Sequence, residues 1–348
     1  MINTIRTSIL KTAFLFGLVV SSLLSSAQQY DFSGLTSTLE TNQKSLGKDL
    51  VMMVWKDDTL VYKKELGDFK TKTVAPLGDA SKWLTAALVM QFVDEGKIDL
   101  DDKVARWIPE FERYGKNYIT IRHCLANLTG IRDDGSASKK AFQRKKFSSL
   151  EEEVNSFAAR DIRVNAGQDF WYGDIGANIA ARVLEIISRK KFDILIKQKL
   201  FTPLTMRRTT FSTLDASAID PSSGAQTTAE EFMKFMSMLL NKGMANGRQI
   251  LSEASVEELK KIHTSPKDIR SAPKSATGLN YALGSWVLDE EEGKTITLAI
   301  PGITWPMINF CKGYASIVFV KSQSGEEKSD IHYELKRLME EQFTGDCK

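Results

Sequence analysis

Asp79 and Lys82 lie three residues apart at the start of an apolar helical run, so on a helix they share one face. That spacing lets a carboxylate meet an ammonium across one turn, where the helix's amino end favours negative charge. On its own the pair reads as a helix cap followed by a solvated first-turn lysine. Asp174 likewise reads as a cap for the helix that carries Ile179, Val183 and Ile186, and Trp171 and Tyr172 read as core aromatics. His123, His263 and His332 are scattered, and Cys124, Cys311 and Cys347 lack ligand spacing, so neither a metal site nor a cofactor is expected. An odd number of cysteines allows at most one internal bridge, and Cys124 sits in an apolar stretch as core packing.

The elements that must position these groups follow from periodicity. Val51 to Trp55, a turn at Asp57-Asp58, and Thr59 to Glu65 form a β-hairpin. A helix starts near Asp79, buries Trp83, Leu84, Ala87, Leu88 and Met90, and stops at Gly96. Ser148 with Glu151, and Thr228 with Glu231, make capping boxes for two further helices. Strand character returns at Tyr281 to Leu288, Thr295 to Ile300 and Ala315 to Val320. A last amphipathic helix carries Ile331, Leu335, Leu338 and Phe343. Strands at both chain ends can pair in one sheet around a mostly helical middle. The chain divides accordingly into residues 28–78 plus 278–348 for the sheet and 79–277 for the helices. The charged runs Glu290-Glu291-Glu292-Gly293 and Ser324-Gly325-Glu326-Glu327-Lys328 read as solvated turns.

The 348 residues are 42% hydrophobic and 26% charged, which fits an ordinary folded protein and excludes wholesale disorder. A net charge of +3 gives no electrostatic footprint for nucleic acid or anionic lipid. Residues 1–27 read as an export signal: Arg6 and Lys11, an apolar run from Ala13, and small residues at Ser25-Ser26-Ala27. The run is shorter than the ~20 residues of a spanning helix, so a periplasmic or extracellular protein without a stable membrane span is expected.

Five further segments carry a resemblance. Ala75-Pro-Leu-Gly-Asp-Ala-Ser-Lys-Trp-Leu-Thr-Ala-Ala-Leu is followed by Gly96-Lys-Ile-Asp-Leu-Asp-Asp-Lys-Val, then by Ile119-Thr-Ile-Arg-His-Cys-Leu-Ala-Asn-Leu-Thr-Gly-Ile. Asn165-Ala-Gly-Gln-Asp-Phe-Trp-Tyr-Gly-Asp-Ile-Gly-Ala-Asn and Leu200-Phe-Thr-Pro-Leu-Thr-Met-Arg-Arg-Thr-Thr-Phe complete the series. In this order they resemble the serine β-lactamase and penicillin-binding family, most closely its class C-like and esterase branch. The resemblance implies an α/β (α+β) fold of the β-lactamase/transpeptidase type: an antiparallel sheet flanked by helices, with a helical insertion. It also implies hydrolysis of a β-lactam, a D-Ala peptide or a small ester through a Ser-x-x-Lys serine, with a tyrosine relaying protons.

Read residue by residue, Lys82 and Tyr172 stand where the family's lysine and tyrosine belong. Asp79 replaces the nucleophilic serine, and Asp174 replaces the asparagine of Tyr-x-Asn. The third motif is best matched by Ile300-Pro301-Gly302, which keeps only its glycine; Gly302 and the nearby Trp305 are the candidate substrate-binding residues, with Trp305 open between lining a cleft and packing under the last helix. A carboxylate that attacked a carbonyl would yield an anhydride, so ordinary acylation is expected to be lost or altered. Ser81 is no substitute, because two residues of helix turn it about 200° away. If the fold holds, Asp79, Lys82, Tyr172 and Asp174 converge on one cleft for a small or peptidoglycan-derived ligand. Two alternatives remain: different acid–base chemistry through Asp79, Asp174 and Tyr172, or a non-catalytic envelope binding module. Oligomeric state is open.

Overall fold

The computed structural model describes residues 30–132, 147–213, 217–288, 296–299, 304–321 and 329–343. The proposed export signal, Gly302 and both charged turns lie outside them. Seven strands form one antiparallel sheet: β1 (Leu50–Lys56), β2 (Thr59–Leu66), β3 (Asn280–Tyr281), β4 (Trp286–Val287), β5 (Ile296–Leu298), β6 (Thr304–Asn309) and β7 (Tyr314–Val320). Their order is β2-β1-β7-β6-β5-β4-β3, so the amino-terminal hairpin joins the carboxy-terminal strands through β1 against β7. Asp57 and Asp58 both take left-handed conformations (φ 50° and 57°), which is the backbone a two-residue hairpin turn demands.

The helices that frame the sheet and its cleft are α1 (Ser33–Thr41), α2 (Ser81–Asp94), α3 (Ile121–Leu125), α4 (Leu150–Ala158), α5 (Ile175–Ser188), α6 (Ala229–Leu240), α7 (Glu253–Lys260) and α8 (Ser329–Glu340). Val51, Met53, Ile317 and Phe319 enter the core that contains α2, α5 and α6. Leu50, Met52, Val54, Val318 and Val320 alternate with them and pack with α1 and α8 on the other face. Burial on both faces explains why β1 and β7 read as continuous apolar runs.

Several elements differ from their sequence outlines. The run Tyr281 to Leu288 is a tight hairpin of β3 and β4 rather than one strand, because Gly284 turns the chain at φ +87°. β6 had no outline at all. The cap of α4 is Ser149, whose side chain accepts from the Glu152 amide; Ser148 instead bonds the Glu152 carboxylate. The cap therefore sits one residue later than its spacing suggested, and the Glu152 carboxylate accepts from the Ser148 amide rather than closing a box on Ser149. Thr228 does cap α6, while Glu231 turns away to accept from the Arg208 amide and the Thr209 hydroxyl. Phe343 is buried but lies beyond α8. Cys311 is disulfide-bonded and Cys124 is a buried free thiol. Among the described residues no helix is long and apolar enough to cross a membrane.

Candidate active site

α2 is buried from Ser81 to Phe92, so it is a central helix rather than one with a single apolar stripe. It is entered through a tight turn at Gly78–Ala80, with Gly78 at φ +64°. Ser81 clamps that turn. Its hydroxyl donates to the Gly78 carbonyl (2.6 Å) and accepts from the Ala225 amide (3.1 Å), and the residue is wholly buried. Ser81 is thus committed to the backbone, as its position on the helix implied. The β3–β4 hairpin presses on the same turn from outside. A Cβ at Gly284 would lie 3.0 Å from the Lys82 carbonyl oxygen.

Asp79, held in the turn, and Lys82, one turn on, face each other. Lys82 Nζ donates to Asp79 Oδ1 at 2.8 Å, to Asp174 Oδ1 at 3.3 Å and to the Ser222 carbonyl at 3.5 Å. The amine stands 4.8 Å from the centre of the Tyr172 ring. Lys82 is 2% exposed, while the Asp79 and Asp174 side chains remain 32% and 23% exposed. The acids therefore form the solvent-facing side of the cluster and the amine its floor.

Tyr172 and Asp174 arrive on the chain between strand Phe170–Trp171 and α5. The Tyr172 amide donates to the Ser271 carbonyl (2.9 Å) and the Gly173 amide to Asn127 Oδ1 (3.2 Å). The approach of α5 to α3 is set by Gly176, where a Cβ would fall 1.9 Å from the Cys124 carbonyl oxygen. Asp174 occupies the cap position of α5 but makes no capping bond, and its carboxylate reaches Lys82 instead. The cap reading of Asp174 therefore fails in geometry, although the position is right.

Electrostatics follows from these contacts. Burial works against the charged form of Lys82, but Asp79, Tyr172 and Asp174 outweigh it and hold the ammonium well above its ordinary range. Burial, reinforced by Asp79, keeps the Tyr172 phenol protonated far beyond its usual value, against the opposing pull of Lys82. Neither group can take a proton from a nucleophile near neutral pH.

The four expected residues thus meet in one cluster. Sequence reasoning missed Tyr281 and the Ser222 carbonyl. Tyr281 is fully buried on β3, its ring 6.1 Å from that of Tyr172, and it lay hidden in an apolar strand-like run. Trp305 does not join them. It is buried on β6 with its ring 5.0 Å from His332 and 6.0 Å from Tyr333 of α8, on the face of the sheet opposite α2. Of its two expected places, the lining of a cleft and the packing under the last helix, it takes the second and not the substrate role, since alternation along β6 sends it to the far side. A pocket opens beside Tyr172, bounded also by Asn127, Thr129, Arg163, Trp171 and Ser271. Among the described residues no group of three or more His, Cys, Asp or Glu side chains is placed to hold a metal.

A two-ended antiparallel sheet, a buried helix with a lysine in its first turn, and a tyrosine facing that lysine define a β-lactamase/transpeptidase-like protein. The chain belongs to the Beta-lactamase family, whose family model matches residues 42–337. Penicillin-binding protein 4 of Amycolatopsis lactamdurans is 27% identical over 255 residues, covering 62% of this chain; the chain spans 64% of that relative's length. Among solved structures, a provisionally assigned β-lactamase of Bacteroides dorei DSM 17855 superposes with a TM-score of 0.77 at 25% identity, covering 90% of this chain and 99% of that one. The octameric penicillin-binding protein homologue of Pyrococcus abyssi shares the fold at 19% identity and a TM-score of 0.73, covering 89% and 78%.

Proposed function

We propose that the protein is an exported family member that no longer acylates itself. Its cleft holds a ligand resembling a β-lactam, a D-Ala peptide or a small ester, such as a cell-wall fragment, without turning it over. The observation that carries this reading is Lys82, clasped between Asp79 and Asp174 and fixed as an ammonium. In a Ser-x-x-Lys site the lysine must accept a proton, and here both the acceptor and the hydroxyl donor are gone. An acid in the nucleophile's place would form an anhydride, far higher in energy than an ester. The rival chemistry, with Tyr172 as acid, asks a proton of a phenol that burial and Asp79 hold tightly. The test is hydrolysis of nitrocefin and p-nitrophenyl esters, together with intact-mass analysis after exposure to a penicillin probe. Background rates and no adduct are expected. A covalent penicillin adduct at any residue overturns the reading.

A further inference from the structure

A second pocket opens on the α2 side of the sheet, and none of Asp79, Lys82, Tyr172 and Asp174 lines it. Trp83 of α2, Leu259 of α7 and Leu283 of the β3–β4 hairpin form its apolar wall, and Phe310, just past β6, stands at its edge. Trp83 follows Lys82 directly but lies about 100° round the helix, which turns it away from the acids.

Strand alternation brings a polar residue to this wall. Ile296 and Leu298 of β5 pack toward α1 and α8, so Thr297 between them faces α2, level with Ile308 of β6. Ser285 arrives on the hairpin beside Gly284, the residue that presses on the Lys82 carbonyl. Ser285 is 6% exposed and Thr297 5%, and among the described residues neither hydroxyl has a hydrogen-bond partner. Buried hydroxyls are normally paired, so two without partners in one apolar pocket mark a place for a ligand atom.

Lys260, the last residue of α7, supplies the charge. Its Nζ lies 4.7 Å from the centre of the Phe310 ring and 2.8 Å from Glu257 Oε1. Glu257 is exposed and outside the lining, so that pair sits in water and takes up one of the three ammonium N–H groups. Among the described residues no acid lines the pocket. An anion entering it meets an ammonium and two hydroxyl donors.

We infer that this pocket binds a small carboxylate with a short apolar body. The carboxylate lies against Lys260 and the Ser285 and Thr297 hydroxyls, and the carbon end against Trp83, Leu259 and Leu283. A cation would be repelled by Lys260, and an anion without a carbon body would leave the apolar wall in contact with water. The site is separate from the cleft and does not depend on what the cleft holds.

Titration of the isotopically labelled protein with isobutyrate, isobutanol and formate, followed by NMR at the Trp83 indole and the Ser285 amide, tests this. Isobutanol keeps the carbon body without the charge, and formate keeps the charge without the body. Isobutyrate is expected to bind at least about fivefold more tightly than either. Lys260→Met retains an apolar stem beside Phe310 and is expected to bring the preference for isobutyrate over isobutanol down to about twofold or less. Equal binding of isobutyrate and isobutanol overturns the inference, and so does an unchanged preference in Lys260→Met. Formate binding as tightly as isobutyrate overturns it as well, being the mark of a bare surface ion pair. Saturation that moves the signals of Tyr172 and not those of Trp83 places the ligand in the cleft and overturns the separate site, as does the absence of any saturable shift.

Discussion

Lys82 Nζ lies 2.8 Å from Asp79 Oδ1, across a single helical turn, and the same amine reaches Asp174 Oδ1 at 3.3 Å. One buried cation is therefore shared between two acids that approach from different helices. Restoring a hydroxyl at position 79 removes only the nearer acid, and Asp174 continues to hold the proton on Lys82. Asp79→Ser alone is expected to stay near background with a penicillin probe. Asp79→Ser/Asp174→Asn is expected to acylate at least about tenfold faster than the single variant. Intact-mass kinetics decide it; equal rates for the two would show that Asp174 does not restrain Lys82.

The same clasp makes the fold sensitive to alkali. Lys82 and Tyr172 are both raised above their ordinary values of 10.5 and 10.0. Above those values the native state holds protons that the unfolded chain has lost, so stability falls as pH climbs. The Lys82 contribution is fully present below 10.5 and disappears as pH passes through its raised native value. Melting temperature is expected to be insensitive to these two groups between about pH 7 and 9 and to drop above about pH 10. Tyr172→Phe should flatten that alkaline drop. A variant that melts with an unchanged alkaline slope would remove Tyr172 from the account.

Ser81 looks like a spare nucleophile in a chain that lacks one, but its hydroxyl is spent on Gly78 and Ala225. Ser81→Ala leaves the Ala225 amide without its acceptor in a wholly buried place. A loss of about 1–3 kcal/mol in stability by denaturant unfolding is expected, with unchanged ligand binding by the stable fraction. Loss of binding without loss of stability would return Ser81 to the site.

How much of the molecule was legible in its sequence varied with the physics involved. The hairpin at Asp57-Asp58, the helix after Asp79 and the strand ending at Val320 announce themselves through local pattern, and β1 pairs with β7 as the two-ended sheet requires. The convergence of Asp79, Lys82, Tyr172 and Asp174 came from motif order in a resemblance, since nothing local brings residues 82 and 174 together. What stayed hidden is tertiary. Tyr281 became a site neighbour only because Gly284 folds β3 back toward α2. Trp305 stayed open between cleft and core because the strand that carries it was not foreseen, and strand alternation decides which face a side chain takes. Asp174 has the right residue type for a cap, and the buried amine outcompetes the helix end for its carboxylate.

Lys82→Met separates the clasp as a structural unit from the clasp as a site. Methionine fills much of the lysine stem's volume but leaves Asp79 and Asp174 facing each other with no cation between them. Removal of one partner from a buried ion pair typically costs about 3–5 kcal/mol. Both acids here keep contact with water, which screens their repulsion, so about 2–3 kcal/mol is expected for Lys82→Met. The triple variant Lys82→Met/Asp79→Asn/Asp174→Asn removes the stranded charges together with the cation. It is expected to recover at least half of that loss, because the penalty lies in the uncompensated acids rather than in the missing amine. Denaturant midpoints for the two variants measure the coupling. If the triple variant is no more stable than Lys82→Met, the amine is held for its packing in the floor of the cleft and the carboxylates are bystanders to the fold.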